Sequence, residues 1–376
     1  MNLEKYQQYS RIARGLEQAD LVLKDARIIN VFTEEIIRGD IAIQDGIIAG
    51  IGSFQGKEER DLGGKYVCPG FIDSHLHLES TLVTPAELVT VASRHGTTTF
   101  IVDPHESANV SGLAGIDYIL EQTEDVKANV YVMMPSCVPA TGIDDNGCTL
   151  TAQDMAPYLN NSRILGLGEV MDSISVVQGD KGMHDKLELF EGRIRDGHAP
   201  FLVEGDLQAY AMAGIATDHE CSFFDYAMRE RRNGLTILIR EGSAARNLEA
   251  LVGGLVQRKM NGEGFCFCTD DKHIEDIQQE GHIDHNVRKA IRLGMNSVSA
   301  IKMATINAAN CYGLKDKGAI APGRQADLLV LSDLVNVEVE DVYYKGQLID
   351  KNENIVIKPC ASELKNTVHV AEFSKE

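Results

Sequence analysis

Short apolar runs rich in β-branched residues recur along this chain and change character twice, and the change sets out its organisation. After a lead with helical periodicity up to about residue 18, the pieces LVLKDARIIN, DIAIQDGIIAGIG and KYVCPG read as short strands separated by Asp-Gly, Gly-Ser and Gly-Lys turn signals. From Phe71 to about Leu314 the strand-like runs alternate with longer helical stretches, the pattern of repeated β/α units around a parallel sheet. The runs fall at 71–75, 97–103, 129–135, 163–168, a poorly defined one before His198, 214–218, 235–240 and 264–269. Eight such units in one segment of this length predict a (β/α)8 TIM-like barrel. Beyond it, Ala326 to Ser332 and Val337 to Ile349 return to short strands with the texture of residues 20–67. The expected division is therefore 1–68 as the lead and the first part of a small β domain, 69–317 as the barrel, and 318–350 as the second part of a flanking β-sandwich built from both chain ends. Residues 351–376 show no period and are expected to be partly disordered as a tail.

In such a barrel the chemistry sits at the C-terminal ends of the strands, so the polar residues there carry the most information. The first run ends Asp73-Ser-His75-Leu-His77, two histidines spaced to share one face of a strand. The second is followed by Asp103 and His105, the fourth by Glu169, the fifth by His198, the sixth by His219, the seventh by Arg240 and Glu241, and the eighth by Asp270. His75, His77, His198 and His219 with Glu169 and Asp270 on one rim suit two divalent ions bridged by a carboxylate and a water or hydroxide, with zinc, manganese and iron all chemically plausible. Such a centre points to hydrolysis at an electrophilic carbon. A lone histidine such as His198 is more often a satisfied loop residue than a ligand, whereas His75 with His77 is hard to explain by packing. Glu169 ends an apolar, glycine-bearing run where a carboxylate is costly unless paired or metal-bound. Of the adjacent Asp270 and Asp271 only one faces inward, and Asp270 is the choice, with Asp271 behind it. His95 is expected to close a helix, and His95, His184 and His369 to be solvated. His273 is read as lining the rim only, and His282 with His285, which share one helix face at i, i+3 and could bind metal, rather as orienting the rim from the helix after strand eight.

Composition narrows the class. With 376 residues, 44% of them hydrophobic, the chain can bury a large core, and a formal net charge of −20 disfavours nucleic acid and anionic membranes as partners. A small neutral or cationic ligand is compatible with that charge. No run of about eighteen apolar residues occurs and the start lacks the apolar core of a secretory signal, so a cytoplasmic protein without a membrane partner is expected. The eight cysteines mostly lie in apolar runs, which favours reduced core thiols over a disulfide framework.

The PGFIDSHLHLES segment, the Glu at the end of strand four (in GLGEVM), the later histidines and the closing Gly318-Ala-Ile-Ala-Pro-Gly-Arg-Gln-Ala-Asp-Leu-Leu-Val-Leu resemble the amidohydrolase superfamily. Within it, HLHLESTLVTPAEL, VDPHESANVSG, DGHAP, DHE, IREGSAARNLEAL and FCTDDKHIEDIQQEGHIDHNVRKAI are similar in sequence, order and spacing to the bacterial adenine deaminase family, from about residue 20 to residue 350. The resemblance implies deamination of adenine to hypoxanthine and ammonia in purine salvage, by attack of a metal-bridging hydroxide at C6. It places a binuclear manganese or iron centre on His75, His77, Glu169, His198, His219 and Asp270. Asp270 would carry the proton to the leaving amine and Glu169 would protonate a ring nitrogen, which makes these two the candidate catalytic residues. Asp103, His105, Glu106, Arg240, Glu241 and Ser243 become the candidate substrate-binding set, with a purine as the small-molecule partner and a homo-oligomer expected. Members of that family usually carry a further C-terminal domain that this sequence does not contain, and Phe201-Leu-Val-Glu-Gly stands where they have a small glycine- and serine-containing loop. A different metal-dependent amidohydrolase acting on a cyclic amide or N-acyl compound, and a noncatalytic barrel scaffold, are the alternatives.

Overall fold

In the computed structural model, which describes residues 2–361, 364, 365 and 367, the first regular element is a helix, Leu3–Ala13, shorter than the expected lead. Five strands follow: β1 (Ala19–Asn30), β2 (Glu35–Gln44), β3 (Ile47–Gly52), β4 (Gly56–Asp61) and β5 (Tyr66–Pro69). The barrel strands are β6 (Phe71–Leu76), β7 (Thr97–Val102), β8 (Asn129–Met134), β9 (Ile164–Val170), β10 (Ile194–Gly197), β11 (Thr217–Asp218), β12 (Thr236–Arg240) and β13 (Phe265–Cys268). Near the end of the chain lie β14 (Leu328–Leu331), β15 (Val339–Tyr344) and β16 (Gln347–Leu348). Most of the tail from residue 362 and His369 lie outside the described residues, and with them much of the reading of that segment.

The two chain ends join in one mixed sheet with the order β16-β15-β14-β5-β1-β2-β3, and β4 adds to β1. The joint is the antiparallel pairing of β5 with β14, Leu329 opposite Cys68, which brings together residues far apart in sequence. From this sheet the chain enters the barrel through Gly70, whose N–H donates to Asp327 O at 2.8 Å. A Cβ at Gly70 would lie 2.1 Å from Thr98 Oγ1, so glycine is what lets the first barrel strand start against the second.

The barrel consists of a parallel β6-β7-β8-β9-β10 arc and a parallel β11-β12-β13 arc. At one seam the Ala216 N–H donates to Arg195 O at 2.9 Å; at the other, the Asp270 N–H donates to His75 O and the His77 N–H to Asp270 O, both at 2.9 Å. The weak hydrophobic signal before His198 has a physical cause. In β10 the side chain of Asp196 is buried and accepts from Thr217 Oγ1 at 2.9 Å and from the Tyr312 hydroxyl at 3.0 Å, so a polar residue occupies a core position by being fully bonded. The sixth run, expected over 214–218, is regular only at Thr217–Asp218, where the two arcs meet. Among the described residues no helix is long and apolar enough to cross a membrane, and all eight cysteines are free thiols, five of them buried.

Candidate metal centre

All six residues of β6 are buried; His75 lies in the strand and His77 just past its end, with their Nε2 atoms facing each other at 3.2 Å. The ring of His77 is oriented by Asp103, whose backbone carbonyl accepts from His77 Nδ1 at 2.7 Å. That bond places one ring proton on Nδ1 and turns Nε2 toward His75 and Asp270, the atom on which a cation would take the place of the second proton. Asp270, held at the β6 seam by its own backbone, brings Oδ1 to 3.1 Å from His77 Nε2 and 3.8 Å from His75 Nε2.

Glu169 enters from β9 and stands at the centre of the group. One carboxylate oxygen lies 3.0 Å from His105 Nδ1 and 3.5 Å from His77 Nε2; the other lies 2.8 Å from His198 Nδ1 and 3.2 Å from His219 Nε2. The backbone beneath it is fixed by Asp103, whose Oδ2 accepts the Glu169 N–H at 2.7 Å. A Cβ on the preceding residue, Gly168, would come within 2.3 Å of that same Oδ2, so the glycine in GLGEVM is required for Asp103 to reach the strand. The rings of His75 and His219 stack with centroids 4.2 Å apart, and His77 meets His105 edge to face at 4.6 Å.

Five imidazoles thus surround two carboxylates, and the charges respond. Burial alone would raise the acids, yet His105, His198 and His219 hold Glu169 well below the usual carboxylate range. Asp270 is likewise depressed, against its burial, by His77, His219 and His75. Burial would lower the histidines, but Asp270 and Glu169 push His77 up to about 10 and Glu169 pushes His219 up to about 9. His75 goes the other way, well below its ordinary value, through burial and the neighbouring His219 and His77.

Divalent cations fit this donor set. Groups of ligand atoms within 4.8 Å of one another are formed by His75, His219 and Asp270, by His75, His77 and Glu169, and by Glu169, His198 and His219. Glu169 also groups with Asp103 and His105, which gives it the shared position between sites. Buried nitrogen and carboxylate donors packed this closely need either protons or cations to offset their mutual cost, and the N/O set suits zinc, manganese or iron.

The predicted site residues divide as follows. His75, His77, Asp103, His105, Glu169, His198, His219 and Asp270 converge, with Arg240 beside them. His105 approaches Glu169 as closely as the expected ligands do. Arg240 is engaged by two acids: Nη1 lies 2.7 Å from Asp270 Oδ2, and the guanidinium forks onto Glu220 at 2.5 and 2.9 Å. Glu106 is exposed and accepts from Ser80 Oγ at 2.8 Å. Glu241 is fully buried and paired with Lys289 at 2.7 Å, while Ser243 donates to Asp276 at 2.5 Å; neither is among the residues that touch the metal-ligand group. Asp271 accepts the Ala244 N–H at 3.3 Å. His282 bonds Thr97 Oγ1 at 2.8 Å and lies 3.2 Å from Asp73, the acid that accepts the His75 N–H at 3.3 Å. It therefore reaches the rim through the barrel wall. His95 closes the helix Pro85–Arg94 as expected, half-buried beside Asp284 rather than solvated.

Sequence reasoning passed over Glu220, 3.5 Å from His219 Nε2 and 3.7 Å from His198 Nδ1, although it adjoins a singled-out histidine. It also passed over Glu79, whose carboxylate accepts the N–H groups of Glu106 and Ser107 at 3.1 Å and so ties the loop after β6 to the helix His105–Ser111.

Residues 66–349 match the amidohydrolase family model. An adenine deaminase from Desulfitobacterium hafniense (strain Y51) is 55% identical over 100% of this chain and 66% of its own length, and one from Clostridium acetobutylicum is 46% identical over 97% of this chain and 65% of its own. The chain spans about two thirds of the length of these curated relatives. Among solved structures, an adenine deaminase superposes with a TM-score of 0.65 at 18% identity, covering 89% of this chain and 100% of that one. An N-acetyl-D-glucosamine-6-phosphate deacetylase from Mycobacterium smegmatis superposes with a TM-score of 0.66 at 16% identity, covering 88% and 100%. With the barrel, the rim of histidines and carboxylates and the matched family model in agreement, this chain belongs to the amidohydrolase family.

Proposed function

We propose that the chain catalyses the metal-dependent hydrolytic deamination of adenine to hypoxanthine and ammonia. The observation that carries the proposal is Glu169 set between His77, His105, His198 and His219, with Asp270 across from it, in a chain 55% identical to an adenine deaminase over its full length. His75, His77, Glu169, His198, His219 and Asp270 would hold two divalent ions, with manganese or iron the favoured metals. When bound, the ions supply a water acidic enough to act as a nucleophile near neutral pH.

The protein's own groups do the rest. Asp270 keeps Oδ1 toward the histidines while Arg240 grips Oδ2, so the carboxylate stays ionised and aimed at the reacting centre, where it accepts the proton of the attacking water and delivers it to the departing amine. Glu169 would hold the ions; ionised at rest, it takes the second proton of the water and passes it to the ring nitrogen that gains electron density as C6 becomes tetrahedral. Asp103 and His105 stand next to Glu169 and are the nearest candidates to contact the purine. Arg240 acts on the substrate side through its grip on Asp270 and Glu220. A purine-salvage role in the cytoplasm and assembly into homo-oligomers complete the proposal.

The fold alone is shared with a deacetylase, so substrate choice must be measured. Ammonia release from adenine, adenosine, guanine and cytosine, using protein purified with added manganese or iron and assayed for metal, is the test. Turnover of adenine alone supports the proposal. Bound metal with no adenine turnover but hydrolysis of a lactam or N-acyl compound would replace it.

A further inference from the structure

The residue before His219 has a bonding pattern of its own. Asp218 is fully buried, and its carboxylate accepts three backbone N–H groups: Ala199 on Oδ1 at 2.6 Å, and Glu220 and Cys221 on Oδ2 at 2.9 Å each. Ala199 directly follows His198, and Glu220 directly follows His219. One carboxylate therefore holds the backbone just past two histidines that come from different strands.

The surroundings reinforce that hold. The Tyr210 hydroxyl accepts the His198 N–H at 2.9 Å and donates to Val170 O at 2.6 Å, the Tyr226 hydroxyl donates to Ala199 O at 2.6 Å, and Asn247 Nδ2 donates to His219 O at 3.1 Å. Behind Asp218 stands Glu230, on the helix Phe224–Arg232. It is fully buried, neither of its oxygens has a hydrogen-bond partner, and it groups with Asp218 and Cys221 within 4.8 Å. A further cation at this cluster is not what the bonding calls for: Asp218 has about four lone-pair positions and three are already filled by amides. Burial, followed by the charge of Asp218, pushes the Glu230 carboxyl up to about 10, in keeping with a neutral acid.

We propose that Asp218 is a positioning residue for the metal centre: it fixes the loops after β10 and β11 so that His198 and His219 face Glu169 before any cation arrives. The inference rests on the reading of His198 and His219 as ligands. Loss of a group that bonds a metal-ligating side chain directly typically lowers metal affinity about 10- to 100-fold, and a group that holds the backbone beside two ligands is expected to act on the same scale.

The test uses full-length protein loaded with manganese, with metal per chain and affinity read by chelator competition. In Asp218→Asn an amide N–H₂ group must face a backbone N–H, so affinity on the His198/His219 side should fall about 10- to 100-fold while the His75/His77 side keeps its ion. Circular dichroism and melting should remain those of a folded protein. Glu230→Gln should retain wild-type metal content. In wild type, hydrogen exchange at the amides of Ala199, Glu220 and Cys221 should be slow both as purified and after chelation, a readout that stands even if Asp218→Asn does not fold. A folded Asp218→Asn with wild-type affinity overturns the proposal, as do fast-exchanging amides at these positions, or metal in excess of the rim's that Glu230→Gln removes. Adenine turnover enters none of these readouts, so a wild type that binds its metals and ignores adenine would sink the substrate assignment alone.

Discussion

Replacing Glu230 by Gln should stabilise the protein, and by an amount that grows with pH. Glu230 is 0% exposed and unpartnered, and burial beside Asp218 raises its carboxyl from 4.5 to about 10. In the folded chain it is neutral at neutral pH, whereas in the unfolded chain it ionises at its ordinary value. Folding must then take up a proton. The contribution is fully favourable below about pH 4.5, and stability is lost progressively as the pH rises towards 10. Each pH unit in that window costs about 1.4 kcal/mol, so at pH 7 wild type carries a penalty of up to about 3 kcal/mol. Gln has nearly the same shape, needs no proton, and can donate its amide N–H to the remaining lone pair of Asp218. Urea denaturation of both proteins at pH 5, 7 and 8.5, with the same metal present so that metal linkage cancels in the difference, should show a small gap at the lowest pH and a widening advantage for Glu230→Gln above it. A gap that does not change with pH, or a variant less stable than wild type at pH 8.5, would refute the argument that a buried neutral acid sits behind Asp218.

Asp270→Asn should lower ammonia release from adenine by at least about 10³-fold, since it removes the group that carries the proton, and retained activity would end that assignment. Gly168→Ala should drive Asp103 off the Glu169 N–H, because the new Cβ would lie 2.3 Å from Asp103 Oδ2; weaker manganese binding, measured by calorimetry, is the expected outcome. Manganese affinity itself should rise with pH from 6 to 8. Although burial opposes it, the neighbouring carboxylates push His77 up to about 10 and His219 up to about 9, so the incoming ion must displace protons, each worth about tenfold in affinity per pH unit. Affinity that does not change over that range would show that these histidines do not bind the metal.

Much of the architecture was legible because a barrel strand buried on both faces must be a short apolar run, and such runs stand out between amphipathic helices. That logic located β6, β7, β8, β9, β12 and β13 to within a residue or two. It failed to bound β10 because Asp196 occupies the core by bonding Thr217 and Tyr312, and a polar residue satisfied by distant partners leaves no apolar signature.

At the site, the sequence by itself determined which side chains stand at the strand ends: a strand end in a barrel faces one rim, so His75, His77, Glu169, His198, His219 and Asp270 could be picked out as candidates from their positions after the runs. Tertiary structure decided what each of them meets. Whether a residue just past a strand turns inward depends on bonds to neighbouring strands that are remote in sequence. Hence Glu241 turns to Lys289, Glu220 turns to Arg240, and His105 swings to within 3.0 Å of Glu169. The same holds for Asp218, whose role rests on an amide 19 residues earlier, after a different strand. Periodicity reports the face a side chain takes along its own strand; hydrogen bonds across strands, which carry no local pattern, decide its partner.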